Sequence, residues 1–271
     1  MTLQKSHPVR FARGAEGSPM ARRLAREVDG EVLFDAASRG RYSTDASIYQ
    51  VTPVGVVVPR TAQAAIAAMQ VAVEEGVAIL PRGGGTSQCG QTVGEALVID
   101  DSKHLNRVFA VDEASRTAIV EPGVVLDTLN ASLREKGLWY PIDVSTSAQA
   151  TLGGMAGNNS CGSRSLAYGN MVDRVEAIEA WLPTGLRARF DANPSTPGVR
   201  DIAAKAAALY EREPHELLPA MPPIVACAEV ETSTGYQRPS ALSRAFSVSS
   251  TTPGATTARC AAPSTSCTWF R

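Results

Sequence analysis

Pro-Arg-Gly-Gly-Gly-Thr-Ser, at residues 81–87, is the stretch from which the architecture of this chain is best predicted. It follows the apolar run 77–80, which predicts a short buried strand. Consecutive glycines lose much entropy on folding, so they occur where a backbone approaches another group closely or adopts a positive φ. Their successive N–H groups can surround an anion such as a pyrophosphate. A plain structural turn explains the same residues at this point, because glycine clusters mark turns in general.

A second glycine-rich stretch, Thr-Leu-Gly-Gly-Met-Ala-Gly-Asn-Asn-Ser-Cys-Gly, occupies residues 151–162. Its small residues would let the backbone lie against a flat ligand, and Thr151, Asn158 and Ser160 offer polar groups to it. The whole region 141–170 is rich in Ser, Gly and Asn and has little apolar periodicity. We therefore predict a long functional loop here. No nucleophile with a neighbouring base is recognisable.

Two familiar phosphate-binding motifs fit the first loop only in part. Residues 85–92 have the glycine spacing of a P-loop, but Gln91 stands where the phosphate-binding lysine belongs. A nucleoside triphosphatase is therefore disfavoured. The strict Gly-x-Gly-x-x-Gly pattern of dinucleotide-binding folds is also absent, because no third glycine follows Gly83 and Gly85 at the required spacing.

The flanking sequence alternates between short strands and helices. Thr61 is a candidate cap for a helix with Ile66, Met69 and Val73 on its apolar face, and Gly76 is its stop. Strands are predicted at 54–58, 96–100, 117–120, 172–182 and 186–190, and further helices at 21–28, 124–136 and 201–213, with a turn at 183–185.

Composition excludes several classes of protein. The net charge of −1 gives no footprint for nucleic acid, and no apolar run is long enough to span a bilayer. The N-terminus lacks the apolar core of a secretory signal, so we expect a cytoplasmic protein. The five cysteines form no Cys-x-x-Cys pair and the three histidines are scattered, so neither a disulfide framework nor a metal site is expected.

Taken in order, these motifs resemble the FAD-binding domain of the vanillyl-alcohol oxidase type, also called PCMH-type. The likeness is greatest to the FAD-linked D-lactate, glycolate and D-2-hydroxyglutarate dehydrogenases. It covers roughly residues 50–190. The residues that carry it are Val-Val-Val-Pro-Arg (56–60), Pro-Arg-Gly-Gly-Gly-Thr-Ser (81–87), Glu-Pro-Gly (121–123), Pro-Ile-Asp (141–143), Thr-Leu-Gly-Gly (151–154) and Tyr-Gly-Asn (168–170).

The resemblance implies an α+β fold in which two small α/β subdomains hold FAD between them. In this family an alcohol carbon is oxidised by hydride transfer to the flavin, and the protein positions that carbon. Some relatives attach FAD covalently through a histidine where this chain has Thr86, so we expect noncovalent FAD. The residues expected to contact FAD are Arg82, Gly83, Gly84, Gly85, Thr86 and Ser87 in the first loop, and Ser145, Thr151, Gly153, Gly154, Asn158 and Cys161 in the second region.

The chain also departs from this family. We do not find the Gly-Ser-Glu-Gly-Thr-Leu segment that touches FAD, the cap domain with its catalytic and metal-binding histidines, or the cysteines of an iron–sulfur module. We therefore expect a fragment with the cap domain missing, and we assign no catalytic residue. As a complete enzyme it would act on a small 2-hydroxy acid and pass electrons to an acceptor or an iron–sulfur partner. The alternative is a non-catalytic FAD-binding remnant or subunit that needs a partner chain.

Domain boundaries follow from changes in composition. We predict an N-terminal extension over residues 1–46, the FAD-binding domain over 47–230, and a distinct tail over 231–271. The tail has one acidic residue, no lysine and no sustained periodicity. It is predicted to be either disordered or the product of a lost reading frame.

Overall fold

A computed structural model of the protein describes residues 17–192, 196–212 and 256–259. Its helices are α1 (Pro19–Glu27), α2 (Ala36–Arg41), α3 (Ala62–Glu74), α4 (Leu126–Arg134), α5 (Leu152–Gly157), α6 (Ser165–Tyr168), α7 (Met171–Arg174) and α8 (Pro197–Arg212). Its strands are β1 (Gly30–Leu33), β2 (Gly55–Pro59), β3 (Ile79–Arg82), β4 (Leu97–Asp100), β5 (Val108–Asp112), β6 (Thr117–Val120), β7 (Val175–Trp181), β8 (Arg187–Asp191) and β9 (Thr256–Arg259). None of the described helices is long and apolar enough to cross a bilayer.

The first sheet has the strand order β1-β2-β4-β3. β2, β4 and β3 are parallel, and β1 runs antiparallel along the free edge of β2. Every residue of β2 and β4 is buried. This explains their continuous apolar character, since a strand covered on both faces needs no polar alternation.

Helices α1 and α3 pack on one face of this sheet. Thr61 caps α3 through a 3.1 Å hydrogen bond from the Ala64 amide to its hydroxyl, and Gly76 follows the helix with φ of +65°, as predicted. The predicted apolar face is wrong in one respect, because Val73 is 45% exposed. The residues that face the core beside Met69 are mostly alanines, namely Ala64, Ala65, Ala68 and Ala72. These small side chains allow α3 to approach the sheet closely. A search for large apolar residues does not detect such a face.

The second sheet is antiparallel, with the order β5-β6-β9-β7-β8. Its core contains Leu129 and Leu133 of α4, Leu152 of α5 and Met171 of α7. The two sheets have separate cores with their own helices, so the predicted α+β fold with two small subdomains is confirmed.

Two predictions for residues 141–182 need correction. The segment 141–170 is not a continuous loop, because it contains the short helices α5 and α6. Residues 172–174 are helical rather than extended. Asn170 begins that turn through a capping box with Asp173, a local hydrogen-bond pattern that outweighs the β preference of Val172.

The structure describes parts of the predicted N-terminal extension and of the predicted tail. Within the predicted N-terminal extension, α1 packs against α3, and β1 pairs with β2 through the register Gly30↔Pro59. Most of the predicted tail lies outside the described residues. Its described part is β9, which pairs with β6 on one side and β7 on the other. The boundaries at residues 47 and 231 stay predictions.

Candidate functional site

The first glycine loop, residues 83–87, begins where β3 ends. Parallel strands β2, β3 and β4 all point their carboxyl ends toward this edge, which is where open α/β sheets bind ligands. Gly85 has φ of +64°, so the predicted positive φ is present at one of the three glycines. Within the described part of the chain, the amide N–H groups of residues 83–86 donate to no other group. They form the run of free donors that an anion-binding loop requires.

The second glycine segment lies directly against the first. A Cβ atom added to Gly83 would stand 2.0 Å from Oγ1 of Thr151, and one added to Gly84 would stand 2.1 Å from the Gln149 carbonyl oxygen. Neither glycine can therefore be replaced without displacing its neighbour. Close approach between segments nearly seventy positions apart is the structural reason for these two glycines.

Thr151 and Gly153 hold the second segment in place. Thr151 is buried and caps α5, with its hydroxyl 3.4 Å from the Gly154 amide nitrogen. The Gly153 amide donates to the Pro122 carbonyl at 2.8 Å, and a Cβ on Gly153 would meet Pro122 at 2.5 Å. The Glu-Pro-Gly turn at 121–123 thus supports the second glycine segment from behind.

Glu121 anchors this supporting turn. Its carboxylate is 5% exposed and accepts hydrogen bonds from the backbone amide of Arg107 at 2.7 Å and from its guanidinium at 2.9 and 3.2 Å. Sequence reasoning noted the Glu-Pro-Gly motif but gave it no role in the site. This role depends on long-range contacts that no sequence pattern indicates, since a Cβ atom added to Gly123 would stand 2.2 Å from the Asp101 carbonyl oxygen.

Arg82 is half-buried and directed toward carbonyl oxygens. Its guanidinium donates to the backbone of Tyr42 at 3.2 Å, Thr44 at 2.8 Å and Thr92 at 3.1 Å. Burial lowers the pKa of Arg82, and the nearby Asp100 and Tyr42 oppose that shift. These contacts tie Arg82, which immediately precedes the glycine loop, to the segment after α2 and to Thr92 beyond the loop. A direct contact between Arg82 and FAD stays a prediction.

A side-chain bridge links the outer parts of the two segments. Nε2 of Gln91 donates to Oδ1 of Asn158 at 2.7 Å, and the Ser87 hydroxyl bonds to the same glutamine. The Asn158 amide in turn donates to Ser160 at 3.1 Å. Ser87 and Asn158, predicted separately, are therefore brought together through Gln91. Sequence reasoning had considered Gln91 only as a replacement for a lysine.

Ser145 and Cys161 are exposed and lie on two segments that Asp143 holds together. The Asp143 carboxylate accepts from the Ser163 hydroxyl at 2.7 Å and from the Arg164 amide at 3.1 Å. Burial would raise the pKa of Asp143, but these hydrogen bonds outweigh it and lower the pKa. The carboxylate therefore stays ionised and fixes the second loop.

The P-loop alternative is wrong on structural grounds. A P-loop leads from a strand into a helix, whose N-terminus faces the phosphates. Here the residues after Gln91 lead through turns into β4. The described residues also contain no cluster of His, Cys, Asp and Glu that could hold a metal ion.

Comparison with known proteins identifies the domain. Residues 53–191, just over half of the chain, match the family model described as "FAD binding domain". The chain belongs to this family. FAD is therefore the cofactor of this domain.

Among curated proteins, the chain is similar to D-2-hydroxyglutarate dehydrogenase of Pantoea ananatis, with 40% identity over 159 residues. The match covers 58% of this chain and 16% of that protein. The chain is also similar to the glycolate oxidase subunit GlcD of Bacillus subtilis, with 37% identity over 163 residues, covering 59% of this chain and 35% of the subunit. The chain thus spans between a sixth and about a third of the relatives it matches.

Two solved structures show the same fold. An alkyldihydroxyacetonephosphate synthase superposes with a TM-score of 0.63 and 18% identity, covering 90% of this chain and 41% of the synthase. The Physcomitrella patens protein BBE-like 1 superposes with a TM-score of 0.62 and 18% identity, covering 90% of this chain and 44% of its own. At this identity the likeness establishes the fold alone.

The geometry of this FAD-binding domain fits its cofactor. The run of free amide groups suits a pyrophosphate, and the predicted residues Gly84, Ser145, Gly154, Asn158 and Cys161 are exposed and can be reached by a ligand. Gly83, Gly85, Thr86 and Ser87 are partly exposed, whereas Thr151 and Gly153 are buried. We infer that Thr151 and Gly153 act mainly by positioning the segments that approach FAD.

Proposed function

We propose that this FAD-binding domain serves the oxidation of a small 2-hydroxy acid such as D-2-hydroxyglutarate, glycolate or D-lactate. The observation that carries the proposal is the 40% identity over 159 residues to a D-2-hydroxyglutarate dehydrogenase. A glycolate oxidase subunit and a probable D-lactate dehydrogenase of Danio rerio match over nearly the same share of the chain. The three names share one chemistry, which is the oxidation of a hydroxyl group next to a carboxylate.

The domain residues would bind and orient the cofactor. We propose that the amides of Gly83, Gly84 and Gly85, together with Thr86 and Ser87, surround the pyrophosphate. Ser145, Gly154, Asn158 and Cys161 would line the flavin, while Arg82, Thr151 and Gly153 hold these segments in register. Bound FAD supplies the chemistry of the proposed reaction by accepting a hydride from the substrate. Thr86 stands where some relatives have the histidine that attaches FAD covalently, so the cofactor would be held noncovalently.

A second candidate function is an FAD-binding subunit that acts with a partner chain. The observation that favours it is that one relative, the glycolate oxidase subunit GlcD, is itself a subunit; the match covers 35% of it. Under this alternative the substrate site and the electron acceptor, or an iron–sulfur partner, belong to another polypeptide. We also propose that the FAD-binding domain extends from residue 47 to residue 230. We propose a cytoplasmic location for the protein.

The test is a visible spectrum of the full chain, followed by an activity assay. We expect the purified protein, alone or after incubation with FAD and gel filtration, to show flavin absorbance. We then expect reduction of an artificial dye with D-2-hydroxyglutarate, glycolate or D-lactate. Bound flavin without dye reduction favours the subunit function. A protein that takes up no FAD contradicts both functions.

A further inference from the structure

The segment between α2 and β2 forms a closed loop beside the candidate site. The Val51 amide donates to the Ser43 carbonyl at 2.9 Å, and Thr44 forms an antiparallel bridge with Gln50. The chain therefore leaves and returns at one place, and we refer to residues 43–51 as the side loop. The side loop precedes the region that matches the family model, and it contains none of the residues expected to contact FAD.

The side loop contacts the chain that leads out of the first glycine loop. Oδ2 of Asp45 accepts a hydrogen bond from the Thr92 hydroxyl at 2.9 Å. The Tyr49 ring packs on Gly90, where φ is +75° and an added Cβ would stand 2.5 Å from the ring. A larger residue in place of Gly90 would be strained and would displace the ring. A hydrogen bond and close packing thus join the two segments.

Arg82 completes this junction. Its guanidinium donates to the Thr92 carbonyl at 3.1 Å, so residues 83–91, which include the first glycine loop, also begin and end at one place. We refer to this Arg82–Thr92 contact as the base of the loop. The same guanidinium donates to the Thr44 carbonyl of the side loop at 2.8 Å, and the negative charge of Asp45 favours its charged form. The side loop therefore holds the base from both of its residues.

The Asp45 carboxylate is suited to this position. Its Oδ1 accepts from the Ser47 amide at 2.8 Å, which orients the carboxylate so that Oδ2 meets Thr92. Burial would raise the pKa of Asp45, but the hydrogen bonds from Ser47 and Thr92 outweigh it and lower the pKa. The carboxylate is therefore ionised at neutral pH. A hydrogen bond to an ionised acceptor is roughly twice as strong as one between neutral groups.

The free amides of residues 83–86 belong to the loop that this base closes. Ordering a loop around a ligand costs conformational entropy, and a loop whose ends are already fixed loses less of it on binding. Contacts that fix the base should therefore raise the affinity of the loop for its ligand, even where they do not touch that ligand.

We propose that Asp45 is a positioning residue for FAD, which holds the base of the first glycine loop through Thr92 and so orders the amides before the pyrophosphate binds. The inference rests on the proposed function only in requiring that the chain binds FAD through this loop. It extends the cofactor site to the side loop, outside both glycine segments. Asp45 acts through the loop and not by contact with FAD.

Variants at both ends of the Asp45–Thr92 hydrogen bond test the proposal in the full chain. Asp45→Ala removes the acceptor, and Thr92→Val removes the hydroxyl while it keeps the shape of the side chain. Each should weaken FAD binding by roughly 10-fold, the size expected for one hydrogen bond to a charged group. Because both changes break the same bond, the double variant should also lose about 10-fold and not about 100-fold. Thr92→Ser keeps the hydroxyl and should bind FAD nearly as tightly as the wild type.

Asp112→Ala is the matched control. Asp112 also accepts hydrogen bonds from amides in its own turn, from Ala114 at 2.9 Å and from Ser115 at 3.3 Å, but it lies at the end of β5. Its loss should lower the Tm slightly and leave FAD affinity unchanged. This control separates a loss of loop positioning from a general loss of stability.

The readout is the Kd for FAD from flavin fluorescence, at a temperature where every variant is folded, alongside the Tm of each FAD-free variant. A lower Tm with unchanged FAD affinity in Asp45→Ala would overturn the inference, because it indicates a purely structural role. Additive losses in the double variant, or an equal loss in Asp112→Ala, would also overturn it. If Asp45→Ala does not fold, Thr92→Val and Thr92→Ser decide by the same comparison. A wild-type chain that binds no FAD is a different result, because it contradicts the proposed function itself.

Discussion

At the scale of single residues, Gly83 and Thr151 show how the site depends on one contact. The two residues are far apart in sequence, yet the missing Cβ of Gly83 leaves just enough room for the Thr151 hydroxyl. The same hydroxyl caps α5, so it serves both the helix and the packing between the segments. A change at either position should therefore affect the other.

Gly83→Ala is predicted to destabilise the protein by about 1–3 kcal/mol, because its methyl group must displace a buried residue. It should also weaken FAD binding, since the loop amides move with the backbone. In a Thr151→Ala background the additional cost should fall, which gives a coupling free energy of roughly 0.5–3 kcal/mol in a double-mutant cycle measured by urea unfolding. Gly40→Ala is the control, because an added Cβ there meets nothing within 4 Å. Additive effects of the two changes would contradict the predicted contact.

Asp101 gives a pH-dependent prediction at the same scale. Burial raises the pKa of its carboxyl group in the folded state above the unfolded value. Such a group binds its proton more tightly when folded, so its contribution to stability is complete below the unfolded pKa and is lost as pH rises through the folded pKa. We expect the FAD-free wild type to lose stability relative to Asp101→Asn as pH rises above the usual range of an aspartate. Tm values of the two proteins across pH measure this, and a constant difference would contradict a raised pKa.

At the scale of elements, the strand β3 and the segment after α2 are joined through Arg82. One guanidinium reaches three backbone carbonyls, a pattern that needs the planar fork of arginine and that lysine cannot reproduce. This arrangement fixes where β3 ends and where the glycine loop turns away from the sheet. The loop is thus positioned by neighbours on both sides.

Arg82→Lys is predicted to lower the free energy of unfolding by roughly 1–3 kcal/mol, because three backbone carbonyls lose hydrogen bonds from a charged donor. FAD affinity should fall together with stability. Urea unfolding and FAD titration measure the two quantities, and Arg60→Lys, at a side chain that is 60% exposed, is the control. A variant with wild-type stability and weaker FAD binding would instead show that Arg82 contacts the cofactor directly.

At the scale of the whole molecule, the cofactor should join two parts that have separate cores. The first sheet carries the amide-rich loop, and the second core carries α5 with its preceding segment. In the described structure the two parts meet through Gly83, Gly84 and the Gln91–Asn158 bridge. A ligand bound across this junction stabilises both.

FAD is predicted to raise the thermal stability of the full chain. Binding at a concentration of about 100 times Kd adds about 2.7 kcal/mol, which corresponds to a rise in Tm of roughly 5–10 °C for a domain of this size. Scanning fluorimetry with and without FAD measures the shift. The Gly83→Ala variant at the same FAD concentration should show a smaller one. An unchanged Tm at saturating FAD would contradict binding across the junction.

Local patterns were enough to predict much of this protein. The Val-rich run before Pro59, the cap at Thr61 and the glycine at position 76 specify their elements through contacts within a few residues, and the structure has them where expected. The ordered glycine motifs likewise indicated the FAD-binding family, because a backbone that must approach another group needs glycine in any surroundings. The short helices in residues 152–174 were missed, since each has only four to six residues, too few to show the helical period of apolar residues.

Long-range packing decided the rest. No pattern in the sequence pairs Gly83 with Thr151, Gly153 with Pro122, or Arg82 with the carbonyls that it reaches. These contacts join residues separated by tens of positions, so they depend on how the two sheets are placed. The unpartnered carboxyl of Asp101 belongs to the same class, because burial is a property of the surroundings rather than of the residue. The types and order of the residues therefore indicate the ligand, because glycine is required wherever the backbone approaches another group. The tertiary structure determines which atoms lie close enough to contact that ligand, because those contacts join distant parts of the chain.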